Sequence, residues 1–157
     1  MKSITRSNIY LPMAAMILAA LAIQAAAQTP VPFKGTFQGS DTVIPPTITT
    51  AATGIGTLVG QLSLTDVFTL TSGTGTGHWI AANGDSIDST FVASAVFGDV
   101  VVTVTEIHTI TGGTGRFSGA QGSFTVHRTH VRAPSADGTH ITFGWFEGTI
   151  TPPAAAR

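Results

Sequence analysis

Two side chains that can exchange protons lie close together in one strand-like run of the sequence. In VVVTVTEIHTI, which begins at Val100, a β-strand would place Glu106 and His108 on one face with Val102 and Val104. Burial among aliphatic neighbours raises the pKa of a carboxyl group and could create a general acid–base pair. The opposite face is also partly apolar, so the pattern leaves open which face points inward. Because charged side chains are rarely buried, we expect Glu106 and His108 to face solvent, with the buried catalytic pair as the alternative.

A group of basic side chains follows in a later run. Arg128, His130 and Arg132 can share a strand face, and His130 can approach His140 across the turn at Asp137-Gly138. Their spacing matches no strong metal-ligand motif such as H-E-x-x-H. We therefore predict a solvated rim near one end of the fold, and neither a metal site nor a cofactor. The sequence also contains no cysteine and no G-x-S-x-G motif, so those two kinds of nucleophile are excluded.

The elements that must position these side chains are β-strands. Short runs rich in Thr, Val and aromatic residues alternate with Gly, Asn-Gly and Asp-Gly turn signals. Eight runs begin or are centred at Phe33, Gly54, Leu62, His78, Ser86, Val100, Arg116 and Thr139. Only 41–50, with Pro45-Pro46, is expected to form a longer irregular connection, because proline lacks the donor that a strand ladder needs.

The number and spacing of the runs predict an all-β fold, an eight-stranded antiparallel barrel, with a two-sheet sandwich as the alternative. Glycines inside the runs favour the barrel, because a tightly curved wall needs bends and close backbone approach. Phe143 and Trp145 share a face of the last run, and we predict that they line the core or a cavity. Val102 and Val104 are further candidates for a cavity wall. The chain closes with TPPAAAR and has too few Tyr and Trp for two aromatic girdles, so membrane insertion of the mature chain is not expected.

The first part of the chain, 1–27, has the three parts of a cleavable signal peptide. Lys2 and Arg6 precede the apolar run LPMAAMILAALAI, and Ala25-Ala26-Ala27 offers a cleavage site. A membrane anchor is the alternative, because about 20 uncharged residues can span a bilayer. We expect a secreted or periplasmic protein whose mature part, 28–157, is a single domain. That part has more acidic than basic residues, so it offers no basic patch for nucleic acid.

A hairpin motif resembles that of a known family. The run GGTGRF, with Gly112, Gly113, Gly115 and Phe117, is similar to a hairpin of allene oxide cyclases and dirigent proteins. The early GTFQG, the ANGD turn and the closing FEGTI also resemble numerous exported bacterial proteins. The resemblance implies an antiparallel barrel of calycin type with an apolar cavity, often as a homo-oligomer. We interpret the hairpin residues as a structural turn, since a GGTG turn needs the backbone freedom of glycine.

Three functions remain open from the sequence. A small barrel either fills with side chains or holds one apolar ligand, and the first hypothesis is therefore the binding of a small hydrophobic molecule. The second is a cyclase- or isomerase-like enzyme that folds a hydrophobic substrate in a shaped cavity, with Glu106 and His108 as its polar groups. The third is a structural or interaction protein with a filled barrel. The resemblance carries no activity over, because the polar interior residues of the plant families have no match here outside the hairpin.

Overall fold

The chain forms a closed barrel of eight antiparallel strands, in which each strand pairs with the next and the first pairs with the last. The computed structural model describes residues 28–152, and the signal peptide predicted for 1–27 lies outside them. The strands are β1 (Val31–Ile44), β2 (Thr47–Gly56), β3 (Gly60–Thr69), β4 (Thr74–Ala81), β5 (Ser86–Phe97), β6 (Val101–Gly113), β7 (Gln121–Pro134) and β8 (His140–Thr151). The predicted barrel is confirmed. None of the helical structure within 28–152 is long and apolar enough to cross a membrane.

The connection between β1 and β2 is much shorter than the sequence suggested. We expected an irregular segment over 41–50, but β1 pairs with β2 as far as Ile44 opposite Thr47. Pro45 and Pro46 fill the two turn positions, where no ladder donor is required, so the prolines end the strands without interrupting them.

The GGTGRF motif joins β6 to β7. After Gly113 the chain makes a single 3₁₀ turn over Gly115–Phe117, and the Phe117 side chain is buried. Gly115 has a φ of 54°, and a Cβ atom there would collide with the carboxylate of Asp85. Glycine is required at this position because the left-handed backbone and the close approach both exclude a side chain.

One end of the barrel interior is filled with aromatic side chains. Phe33, Trp79, Phe124 and Phe146 pack with ring centroids 4.8–6.2 Å apart, mostly edge to face. Val59, Phe117 and Ala120, from the connections at this end, are also buried. The remaining four hairpin turns, β1–β2, β3–β4, β5–β6 and β7–β8, surround the opposite end, where the interior is not filled.

Candidate functional site

A cavity of about 340 Å³ occupies the end of the barrel opposite the aromatic cluster. Its wall is mostly apolar and comprises Val43, Ile48, Phe68, Leu70, Phe91, Ala93, Ala95, Phe97, Val102 and Val104. Leu70 and Phe97, at the ends of β3 and β5, are 47% and 75% exposed, so the wall continues to an apolar rim open to solvent. Val102 and Val104, named from the sequence as cavity candidates, both lie in this wall.

The structure defines which face of β6 points into the barrel, a question that the sequence left open. Val102, Val104, Glu106 and His108 all point into the barrel, and Glu106 and His108 are 4% and 0% exposed. The expectation that these two polar residues face solvent was wrong. They are buried because other interior side chains supply charge and hydrogen-bond partners, which removes most of the cost of burial.

The partner of Glu106 is Arg128 on β7, which lies at the centre of a buried charged cluster. Its Nε donates to Glu106 Oε1 at 2.8 Å, and its Nη2 donates to Glu106 Oε2 at 3.1 Å. Nη2 also donates to Asp66 Oδ2 at 2.7 Å, and Nη1 donates to Thr50 Oγ1 at 2.9 Å. Asp41 lies 3.6 Å from Nη1. We call Arg128, Asp41, Asp66 and Glu106, together with Thr50, the Arg128 cluster.

The cluster extends toward the mouth of the cavity through two histidines. Asp41 accepts a hydrogen bond from Thr50 Oγ1 at 2.6 Å, and its other oxygen lies 2.6 Å from His130 Nδ1. The His130 ring stacks on His140 with centroids 4.8 Å apart, which confirms the predicted approach across the β7–β8 turn. His130 and His140 both line the cavity.

Toward the closed end, His108 connects the cluster to the aromatic core. Its ring is stacked between Phe91 and Phe124, with centroid distances of 4.5 and 4.6 Å. Nε2 lies 3.3 Å from Glu106 Oε2, and Nδ1 lies 2.9 Å from Ser89 Oγ. When Nε2–H donates to the carboxylate, Nδ1 is the acceptor for the Ser89 hydroxyl. The ring orientation is therefore fixed both by stacking and by hydrogen bonds.

Two carboxylates on the same guanidinium have pKa values shifted in opposite directions. Burial raises the pKa of Asp66, and the attraction of Arg128 offsets this only in part. Burial also acts to raise the pKa of Glu106, but the Arg128 charge and the hydrogen bonds from His108 and Arg128 outweigh it, so the net shift is downward. The pKa of Arg128 is raised above its ordinary value despite its burial, because Glu106 and Asp66 stabilise the cation. Glu106 is thus the stronger acid of the pair, contrary to the elevated pKa expected for a buried carboxyl group at this position.

Two further predictions about side-chain direction are corrected. Arg128, expected in a solvated rim, is only 4% exposed, and of its strand-face partners only Arg132 is exposed at the rim. Phe143 and Trp145, expected in the core or cavity wall, lie on the outer surface, 46% and 44% exposed. Trp145 stacks there on His127 with centroids 3.9 Å apart. The inward positions of β8 are those of Thr142, Gly144, Phe146, Gly148 and Ile150.

Two acidic residues of the cluster, Asp41 and Asp66, were not identified from the sequence, although a signal was present. Asp41 is in phase with the inward Phe33 and Phe37 along β1, and Asp66 is in phase with Leu62 and Leu64 along β3. An acidic residue at an inward position of an alternating strand points to a buried charge that needs a partner.

The arrangement of charges argues against a metal ion at this site. Ligand atoms of Asp66, Glu106 and His108 lie within 4.8 Å of one another, which is a spacing that a cation could use. However, the Arg128 guanidinium already binds both carboxylates and occupies the position of the positive charge. A divalent cation beside it would meet like-charge repulsion, so we assign no metal to these residues.

A second, larger depression lies outside the barrel. This outer groove, of about 870 Å³, runs over the surface of β8, β1, β2, β3 and β4 and is lined by residues that include Thr36, Ile80 and Phe143. It contains none of the charged residues of the Arg128 cluster. The buried charged side chains therefore line the smaller cavity inside the barrel and not the outer groove.

Comparison with known proteins supports the fold. No protein-family model matches the chain. No curated protein matches it either. Among solved structures, the chain is similar to that of the pterocarpan synthase dirigent protein GePTS1, with a TM-score of 0.50 and 10% identity over 92% of this chain and 99% of that one. At this identity the similarity concerns architecture alone, and we conclude that this chain has a dirigent-like barrel.

Proposed function

We propose that the protein is exported and binds one small, mainly apolar molecule in the barrel cavity, with a polar group of that molecule facing the Arg128 cluster. The observation that carries this proposal is the asymmetry of the interior. One end is filled by aromatic side chains, whereas the other encloses about 340 Å³ with apolar walls and a charged floor. This volume is at the lower end of the range for small-molecule sites, which bind mainly through apolar walls and a few convergent polar groups.

The position of the charges supports a binding role. A buried ion cluster is often no more stabilising than well-packed apolar side chains of similar volume. Apolar side chains could occupy this level of the barrel, as they do at the closed end. Instead Asp41, Asp66, Glu106 and Arg128, all 4% exposed or less, lie directly at the cavity. Perturbed carboxylates in a concave site are typical of functional sites.

The hydrogen bonds of the cluster indicate which polar group the ligand carries. The Arg128 nitrogens are occupied by Glu106, Asp66 and Thr50, so little donor capacity remains at the floor. Three carboxylates face this single guanidinium. The floor is therefore rich in acceptors and poor in positive charge. A hydroxyl or ammonium group fits the floor, whereas a carboxylate or phosphate placed there would face three carboxylates, because His130, Arg132 and His140 line the cavity nearer its mouth.

A series of probes with one skeleton tests the proposal. We expect 1-octanol and octylammonium to bind at least about tenfold more tightly than octanoate in calorimetric titrations, which corresponds to about 1.4 kcal/mol. Val104→Trp should remove binding by filling the cavity. Ile107→Trp is the matched control, because Ile107 lies on the same strand but faces outward and is 54% exposed.

The outcomes separate the hypotheses. Equal loss of affinity in both tryptophan variants would place the probe outside the barrel. Preference for octanoate would contradict the acceptor-rich floor. Absence of binding by all three probes would favour the hypothesis of a structural or interaction protein.

An acid–base enzyme is the second candidate function, because the two carboxylates on Arg128 have pKa values shifted apart. Paired titratable groups with diverging pKa values are a pattern of acid and base roles, which would make Asp66 the acid and Glu106 the base. A cyclase- or isomerase-like reaction of a hydrophobic substrate could use such a pair in a shaped cavity. The test is deuterium uptake into a bound molecule in D₂O, followed by mass spectrometry. Asp66→Asn and Glu106→Gln should stop the uptake while retaining binding, and uptake unchanged in both variants would exclude this role.

A further inference from the structure

The charges that line the barrel cavity are separated along its length. The acidic residues of the lining, Asp41, Asp66 and Glu106, all belong to the Arg128 cluster at the floor. The cation nearer the mouth is Arg132, which is exposed and follows Arg128 on the same face of β7. The two histidines that also line this part of the cavity add no negative charge there. The cavity is therefore negative at one end and positive at the other.

The floor contains more carboxylates than cations. The Arg128 guanidinium is shared by three carboxylates, with N–O distances of 2.7, 2.8 and 3.6 Å. A second cation beside them would bring the charges of the floor closer to balance. An ammonium group donates three hydrogen bonds and accepts none, whereas a hydroxyl group donates only one. Because the donors of Arg128 already bind protein oxygens, the acceptor capacity of a hydroxyl would be wasted here. The floor therefore favours an ammonium group.

Arg132 can bind an anionic group at the mouth. Its Nη1 donates to the carbonyl oxygen of Gly98 at 3.0 Å, which holds the guanidinium against the β5–β6 turn. Within residues 28–152 it forms no ion pair with a carboxylate. Asp99 and Asp137, in the turns beside it, are not part of the cavity lining. A guanidinium presents parallel N–H donors that match the two oxygens of a carboxylate.

We propose that the ligand is a zwitterion with an apolar chain, which places an ammonium group at the floor and a carboxylate against Arg132. This inference rests on the binding function proposed above and names the class of its ligand. The four residues from Arg128 to Arg132 span about 13 Å of strand, or about 10 Å along the axis of a barrel with tilted strands, which is close to the length of an octyl chain. The apolar wall between the two ends, which includes Val102 and Val104, would contact the chain.

Calorimetric titrations at low ionic strength test the two ends separately. Octylammonium should bind at least about fivefold more tightly than 1-octanol, because hydrogen bonds between charged groups are stronger than those of neutral groups. We expect 8-aminooctanoate to bind about threefold more tightly than octylammonium, a gain typical of an exposed ion pair. Added salt should reduce this second ratio, because it screens an exposed charge more than a buried one.

Two charge-reversal variants assign the second preference to the mouth. Arg132→Glu should invert it, so that octylammonium binds more tightly than 8-aminooctanoate. Lys34→Glu is the matched control, because it makes the same change of charge at an exposed, outward position of β1 and should keep the wild-type ratio. Each ratio compares two probes in one variant, so a general loss of affinity in that variant does not alter it.

The outcomes distinguish this inference from the proposed function. The zwitterion would be excluded if octylammonium bound no more tightly than 1-octanol, or if 8-aminooctanoate bound no more tightly than octylammonium. A preference for 8-aminooctanoate that persists in Arg132→Glu would also exclude it. Each of these results leaves the binding of a small apolar molecule in place. Absence of binding by every probe would contradict both the proposed function and the zwitterion.

Discussion

Removal of the Arg128 guanidinium is the perturbation for which the structure predicts the largest effect. Arg128→Met keeps an apolar stem but leaves Asp41, Asp66 and Glu106 without their shared cation, at 2%, 2% and 4% exposure. Removing one partner of a buried ion pair costs about 3–5 kcal/mol. Because three carboxylates lose the same partner, we expect a loss of at least about 3 kcal/mol in the free energy of unfolding near neutral pH.

Urea unfolding followed by far-ultraviolet circular dichroism measures this loss as a change in midpoint at constant slope. The loss should shrink as the pH falls toward about 4, because the stranded carboxylates can then take up protons. Adding Asp66→Asn and Glu106→Gln to Arg128→Met should restore most of the stability by removing two of the buried charges. Arg132→Met is the control, since Arg132 is exposed on the same strand, and we expect a change within about 0.5 kcal/mol.

Two results would refute the reasoning. Equal, small losses in Arg128→Met and Arg132→Met would mean that Arg128 is not a buried counterion. A large loss that is independent of pH and is not relieved by the two neutralising substitutions would mean that packing, rather than charge, accounts for the effect.

Two other predictions concern the charge of Asp66 and the outer surface. Burial raises the pKa of Asp66 in the folded protein. The contribution of Asp66 to the free energy of unfolding is therefore fully present below its unfolded pKa, near 3.8, and is lost as the pH rises through the folded pKa. Asp66→Asn should therefore gain stability relative to the wild type between about pH 4 and pH 7 in urea unfolding, and a difference that is constant over this range would contradict the shift. The exposed Ile141, Phe143 and Trp145 of β8 form an uncharged apolar strip, which we propose as a contact between copies of this chain. Phe143→Glu should lower the mass found by sedimentation equilibrium. Val92→Glu, at an exposed apolar position on β5, is the control and should leave the mass unchanged. Equal masses for the wild type and both variants would exclude the strip as an interface.

The barrel was predictable because its signals are local. Strand alternation and Gly-containing turns are read within a few residues, and they predicted the eight strands and their antiparallel order. The exception was Pro45-Pro46, where the composition indicated a loop. A two-residue turn needs no ladder donors, so two prolines at its centre are compatible with strands that pair up to the turn.

The interior was less predictable because its side-chain partners come from distant strands. Glu106 and Arg128 are 22 residues apart in the sequence, and Asp66 and Arg128 are 62 apart. When that pairing is not known, the rule that charged side chains stay at the surface places Glu106 and Arg128 in contact with solvent, whereas both are buried. On β8 both faces carry large apolar residues, so alternation alone could not select one. The inward face is the one with Gly144, where a Cβ atom would come within 3.0 Å of the Phe37 ring and closer still to the β7 backbone.

The most direct test of the binding proposal is to locate the probe by NMR. Titration of nitrogen-15-labelled protein with 1-octanol should shift the amide signals of Val102 and Val104 and the Nε signal of Arg128, and Val104→Trp should remove these shifts. Shifts confined to the outer groove, at Thr36 and Ile80, or no shifts at any position, would contradict the proposal that the cavity above the Arg128 cluster is the binding site.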